Sequence, residues 1–371
     1  LISQKKFDFI NHISIKLILI LYLYLIFNSF ISQDYKIGLS RNIGFIRIII
    51  FFIFVNYFFF YYKNNQKLLD FWSLILCALI IDVFVEYFFG TNLISWGVKD
   101  QTYGNRITSF FIDEPIVGAY LTGFIFLIFG NFLNRYNKKT IAFLFLLIAL
   151  ISVIFTGERS NTIKVFSGII FYFLLLDFLK IKSKFIIILI FFTTFGTILS
   201  QSEYLKVRYI GQFYDLLTNK KNFEKLENNQ YIRLYKSGYS VFKNYPFFGV
   251  GNKNYRVETC RKQNISQAKF EYVCSTHPHQ IYMELLSEHG LVGFVLILGI
   301  LFFLMFKILK SILMSRNYIQ IGAFTYVLIN FIPFLPSGSF FSDFNITLFW
   351  INFSIMFASD KKTNIFAKNY V

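Results

Sequence analysis

The sequence predicts an all-α polytopic membrane protein, a bundle of about ten transmembrane helices carrying one large, mostly helical extramembrane loop. Three observations predict it. Of 371 residues, 56% are hydrophobic and only 15% charged, against roughly a quarter charged in soluble domains. The apolar residues fall into ten runs, at about 13–31, 43–62, 68–89, 115–133, 140–155, 162–179, 185–199, 291–309, 318–333 and 344–358. Several approach the lower length limit for a hydrocarbon core ~30 Å thick. Between about 200 and 290 no such run occurs, and a segment far longer than a connection needs must hold structure of its own. The chain therefore divides into N-terminal membrane helices (1–199), a loop with amphipathic helices (200–290) and C-terminal membrane helices (291–371).

The first run, Ile13 to Ile31, is long enough to remain as a membrane helix, and no signal peptide precedes it. The chain opens on Leu1 rather than methionine, which suggests that its true start is missing. Orientation follows from the basic residues of the short loops. With the amino terminus inside, sixteen lysines and arginines, from Lys5 and Lys6 through Lys63, Arg135, Lys138, Lys180, Arg316, Lys361 and Lys368, fall on the cytoplasmic side. Six fall opposite: Lys36, Arg41, Lys99, Arg106, Arg159 and Lys164. This asymmetry places both termini inside and the long loop outside. The formal charge of +17 is thereby a loop property, and a nucleic-acid partner is rejected.

Within the long loop, Asn229 to Asn244 reads as an amphipathic helix with Ile232, Tyr235, Tyr239 and Phe242 at helical spacing. It ends in the Pro/Gly turn Tyr245-Pro246-Phe247-Phe248-Gly249-Val250-Gly251. Several charges then fall on the outer side. Asp82 and Glu86 share one helical face, Asp113 and Glu114 enter the fourth span, and Glu158 and Arg159 occupy an outer loop, with Arg233 and His279 in the long loop. Ionisable groups at a membrane are costly and tend to line cavities. Structural ion pairing, of Arg159 with Glu158 or Asp82 with a nearby arginine, is the plainer alternative.

Histidines, carboxylates, prolines and glycines gather in Thr276-His277-Pro278-His279-Gln280-Ile281-Tyr282-Met283-Glu284-Leu285-Leu286-Ser287-Glu288-His289-Gly290-Leu291-Val292-Gly293. Pro278 suits a first helical turn and Gly290 a stop. The expectation is a short helix from Pro278 to His289, a break, and a membrane helix from Leu291. His279 in the first turn would be kept neutral by the helix dipole and could accept a proton from a hydroxyl. The alternative is that the three histidines only cap helix ends.

This stretch resembles the signature of the O-antigen ligase and polymerase superfamily: a histidine, a polar amide or hydroxyl residue (here Gln280), nine residues, and Gly290-x-x-Gly293. Arg106 to Glu114 with Gly118-Ala119-Tyr120, Gly157-Glu158-Arg159-Ser160 and Pro333 to Phe341 are also similar to family segments, although Ile163 stands where a leucine is frequent. The resemblance spans about 101–341. It implies transfer of a glycan from an undecaprenyl-diphosphate carrier to an acceptor hydroxyl, without metal or other cofactor, at the periplasmic face of a bacterial inner membrane. His279 would assist the acceptor, Arg159 and Arg233 would hold the diphosphate, and Gln280, Gly290, Gly293, Glu158, Asp113 and Glu114 would support the site. About twelve spans are common in the family, so a further amino-terminal pair is expected.

The implied partners are the lipid-linked glycan donor, membrane lipids, and lipid A–core as acceptor in lipopolysaccharide biosynthesis. A growing glycan as acceptor would make the protein a polymerase, and a protein O-oligosaccharyltransferase shares the chemistry. A lipid-linked sugar flippase would instead show repeats and midplane charges, which the sequence lacks. Cys260, Cys274, His277 and His279 are four zinc-ligand types, but their spacing fits no familiar site. A Cys260–Cys274 disulfide in an oxidising compartment is simpler, and Cys77 reads as a packing residue.

Overall fold

The computed structural model describes residues 8–62, 65–94, 106–112, 114–135, 139–211, 229–261 and 271–367. Lys5, Lys6, Lys63, Lys99, Asp113, Lys138 and Lys368 lie outside the described residues. Every one of the ten apolar runs falls on a helix: α1 (Ile13–Phe30), α3 (Ile46–Tyr61), α4 (Asn65–Phe89), α5 (Val117–Arg135), α6 (Thr140–Phe155), α7 (Arg159–Leu175), α8 (Ile181–Gln201), α11 (Ile281–Ser315), α12 (Tyr318–Ile329) and α13 (Asp343–Ala358). Between them lie α2 (Tyr35–Ile43), α9 (Gln230–Asn244) and α10 (Tyr255–Thr259). Among the described residues there is no strand, and six helical segments are long and apolar enough to cross a membrane. The protein is an all-α polytopic membrane protein.

Helix α5 is the central post. Of its apolar window 78% is buried, because α4, α6, α7, α12 and α13 all pack on it. Gly130 and Gly322 let the α5 and α12 backbones touch, since a Cβ at either would collide with the carbonyl of Tyr318 or Phe126. Such small-residue contacts are how apolar helices associate where apolar burial against lipid brings nothing. Helix α8 is the opposite case, with only 11% of its window buried. Ile181, Phe185 and Leu189 are more than half exposed, which makes α8 a lipid-facing helix.

Cap chemistry sets the ends. Asp34 accepts the Lys36 N–H at 3.0 Å to start α2, a helix the periodicity did not suggest. Asn229 accepts the Tyr231 N–H at 3.0 Å and starts α9. The buried face of α9 is Leu234, Ser237, Gly238 and Val241, whereas Tyr239 is 46% exposed. The expected stripe is thus rotated: small residues face the bundle so that Gly238 can lie beneath Pro278 and Met283, where a Cβ would come within 2.9 Å and 3.1 Å of their β-carbons. A disulfide joins Cys260 and Cys274, with Cα atoms 4.6 Å apart. Both sulfurs are consumed, so neither is available as a zinc thiolate.

The 250–254 turn is bound tightly to the end of α1. Gln33 N–H donates to Val250 O (3.0 Å), Asp34 N–H to Asn254 Oδ1 (2.8 Å), and Asn252 N–H to Asn28 Oδ1 (2.9 Å). Asn42 closes the knot by donating to Leu25 O at 2.7 Å and bonding to Asn252. Asn28, Asn42, Asn252 and Asn254 are all buried, and each makes at least one hydrogen bond.

Candidate active site

The site is built on a broken helix. Gly290 has φ 62° and ψ −169° inside α11, a conformation essentially confined to glycine. The break orphans backbone groups on both sides, and the turn after α9 satisfies them. Leu291 N–H donates to Pro246 O (2.8 Å) and Val292 N–H to Phe247 O (3.1 Å). In return Val250 N–H donates to Ser287 O (3.0 Å) and Gly251 N–H to Glu288 O (2.9 Å). Gly290 and Gly249 are both needed for this approach: a Cβ on Gly290 would lie 2.5 Å from Phe248 N, and one on Gly249 2.5 Å from His289 N. Gly293 makes room for Tyr24 of α1, whose hydroxyl donates to His289 O at 3.1 Å.

The helix begins later than the sequence suggested. Gln280 is its N-cap, its side-chain oxygen accepting the Met283 N–H at 2.8 Å. Pro278 is therefore not in the first turn, and His279 precedes the cap with φ 55°. Local cap chemistry won over the proline signal, because an amide side chain at position 280 meets a donor that proline at N1 would not. Burial and a neighbouring ring, rather than a helix dipole, oppose protonation of His279. Burial first, then the neighbouring His277, push its pKa down to about 4, against a smaller opposing pull from Glu284. The two imidazole centroids are 4.0 Å apart, and the Tyr231 ring stands edge-on at 6.3 Å. The backbone at His279 is held by its carbonyl, which accepts the Ser337 N–H at 2.9 Å.

His289 is no cap. It is completely buried, its ring 6.0 Å from Tyr24 and 5.3 Å from Phe341. The two carboxylates on the same helix, Glu284 and Glu288, are also fully buried. Glu284 accepts from Ser339 Oγ at 2.5 Å and Phe340 N–H at 2.8 Å, while Glu288 accepts the Lys253 N–H at 2.9 Å. The Lys253 ammonium sits 4.0 Å from Glu284 and bonds Ser339. These groups fasten loop 330–342 and the start of α10 to the His279 helix. Their signal was present in the sequence as two glutamates four apart on one face of an otherwise apolar helix.

A second group of charges begins at Asn330, the start of the same loop. Lys164 donates to Asn330 Oδ1 at 3.0 Å, and Tyr282 of α11 bonds the Phe331 carbonyl at 2.5 Å. Just above Lys164, the Gly157–Glu158 turn collects cations. Arg208 Nε–H donates to Gly157 O at 2.6 Å. Burial first, then the nearby charges of Arg106 and Arg159, lower the Arg208 pKa from its ordinary range, while Tyr204 opposes them. Glu158 sits beneath, accepting Gly118 N–H and the Asn161 amide at 2.6 Å each. Burial lifts it to about 7, against those bonds and the pull of Arg106. Guanidinium forks match phosphate oxygens. Arg208 was missed because its partner, Gly157, is 51 positions away.

Other expected site residues are placed differently. Arg233 is exposed on α9, and among the described residues no contact joins it to Arg159 or His279. Glu114 is exposed ahead of α5, and Asp113 lies outside the described residues. Asp82 and Glu86 turn to the loop that follows α4 rather than to a cavity. Glu86 accepts the N–H groups of Thr108 (3.1 Å) and Ser109 (2.6 Å), and Asp82 accepts the Leu93 N–H (2.7 Å). They act as anchors for the loop that carries Arg106.

Residues 144–298 match a family model described as O-antigen ligase. The matched segment contains Glu158, Arg159, Arg208, Arg233, His279 and both motif glycines. The match supports an O-antigen ligase/polymerase-like superfamily and a glycosyltransferase-type enzyme. No curated protein matches the chain.

Proposed function

We propose that the protein moves a glycan from an undecaprenyl-diphosphate carrier to an acceptor hydroxyl, most directly as an O-antigen ligase acting on lipid A–core at the periplasmic face of the inner membrane. The observations that support this reading are a half-buried histidine whose carbonyl accepts the Ser337 N–H of loop 330–342, and an arginine cluster at the Gly157–Glu158 turn, at the head of the helix whose Lys164 bonds Asn330 of the same loop. In the step, the acceptor oxygen bonds to the anomeric carbon as the bond from that carbon to the diphosphate oxygen breaks. The acceptor proton passes to the His279 imidazole. The electron pair leaves with the diphosphate, whose charge Arg159 and Arg208 stabilise. Arginine cannot lose its proton, so the site needs no metal for that task. Arg106 adds to the same field, and Arg233 on α9 is a second contact for the carrier.

Lysine in place of Arg208 keeps one charge but loses the planar fork and the bond to Gly157. Arg208→Lys is expected to reduce turnover about tenfold or more while thermal stability shifts by only ~1 kcal/mol. Unchanged turnover removes Arg208 from the diphosphate contact. The reading as a whole is tested by the lipopolysaccharide of a strain lacking the protein. Loss of all glycan-capped bands with accumulation of long carrier-linked glycan supports ligation. A surviving band with a single repeat identifies a polymerase instead, and an unaltered profile contradicts both.

A further inference from the structure

A cavity of about 440 Å³ opens beside the site, lined by Ile37, Ser40, Arg41, Arg47, Lys253 and Asp343. Arg41 lies in the last turn of α2, Arg47 in the first turn of α3, and Asp343 at the first position of α13. Arg41 Nη1 is 2.7 Å from Asp343 Oδ1, and Arg47 bonds the same oxygen. One carboxylate oxygen thus faces two guanidiniums, each with five N–H donors. The pair keeps a net positive charge and most of its donors. Lys253 forms the inner wall and is only 19% exposed, against 62% for Arg47, with its ammonium shared with Ser339 and Glu284.

The surroundings identify the kind of ligand. Ile37, Ile43 and Ile46, on the same α2–α3 turn, are 38%, 50% and 40% exposed. Cations at a headgroup position next to exposed apolar side chains are the chemistry of a lipid site. Planar guanidiniums match phosphate oxygens in pairs. We propose that the Arg41–Arg47–Lys253 cavity binds the phosphate of a phosphate-bearing lipid headgroup, whose chains lie against the α2–α3 turn. Asp343 occupies the phosphate position when the cavity is empty and is displaced when the headgroup enters. The site is separate from the arginine cluster at Gly157 and stands whether or not the transfer reaction is as proposed.

The exchange of Asp343 for phosphate makes opposite predictions for two kinds of variant. Binding of dodecyl phosphate to the full chain in dodecyl maltoside micelles is measured by calorimetry, with inorganic phosphate in parallel. The doubly substituted Arg41→Gln/Arg47→Gln chain is expected to bind dodecyl phosphate at least tenfold more weakly. Asp343→Asn, which removes the internal competitor, is expected to bind it several-fold more tightly, a gain that misfolding cannot produce. Inorganic phosphate is expected to bind at least tenfold more weakly than the amphiphile. The proposal is overturned if Asp343→Asn binds no more tightly than the parent, if the double variant binds as well, or if inorganic phosphate binds as tightly as dodecyl phosphate.

Discussion

Transfer is expected to fall by ~10²–10⁴-fold in His279→Ala, the usual loss when a positioned general base is removed, while protein accumulates to near parental levels. The side chain belongs to a loop ahead of the Gln280 cap, and its structural bond is made by its carbonyl to Ser337 at 2.9 Å, which alanine retains. The one conformational concern is φ 55°, where asparagine is better tolerated than alanine. His279→Asn therefore keeps the backbone and removes the base, and is expected to be as inactive as the alanine variant. His289→Ala is the contrast. That ring is enclosed by Tyr24 and Phe341, so its loss leaves a core cavity and lowers the yield of folded protein, with activity per folded molecule preserved. Quantifying membrane-inserted protein alongside transfer separates the two effects. An active His279→Asn enzyme contradicts the assignment.

The second large effect is structural. Gly290→Ala is expected to eliminate most folded protein, because it combines two penalties. The backbone at φ 62°, ψ −169° costs a side-chain-bearing residue ~1–3 kcal/mol, and the added Cβ would enter the Phe247–Phe248 peptide, 2.5 Å from Phe248 N. Relief requires pulling the 246–251 turn away, which would unpair Leu291, Val292, Ser287 and Glu288 together. Gly299, farther along α11, has nothing within 4 Å of the place a Cβ would take, so Gly299→Ala is expected to be neutral. Gel filtration in detergent distinguishes them: a monodisperse Gly290→Ala protein would show that the break is dispensable.

The ten apolar helices, though not which of them are long enough to cross a membrane, and the interruption at Gly290 were legible because apolar runs and glycine punctuation are local signals. So was the proximity of Cys260 and Cys274. The start of α11 was misread by local competition, since Pro278 and Gln280 both resemble helix starts and only the Met283 N–H decides between them. The buried face of α9 was hidden because hydrophobicity favours its tyrosines, whereas close approach to Pro278 selects Ser237 and Gly238. Asp82, Glu86, Glu284 and Glu288 could be read as charges on shared faces, but their partners are backbone N–H groups and side chains of loops remote in sequence, which no periodicity reveals. The arginine cluster is likewise a product of tertiary structure, assembled from residues 106, 159 and 208.

The central claim is that a neutral His279 takes the acceptor proton while arginines, not a metal, hold the leaving diphosphate. The pH dependence of kcat/KM for purified protein, with undecaprenyl-diphosphate-linked glycan and lipid A–core in chelating buffer, tests it most directly. Because burial and His277 lower the His279 pKa to about 4, the base form predominates from pH 5 to 7. Glu158, lifted to about 7, also titrates in that window, so the Glu158→Gln variant is measured in parallel. Its rate is expected to stay flat from pH 7 to 5 and to be indifferent to the chelator. A limb near pH 6.5 in that variant, the ordinary histidine value, or silencing by chelator with rescue by zinc, would contradict the account.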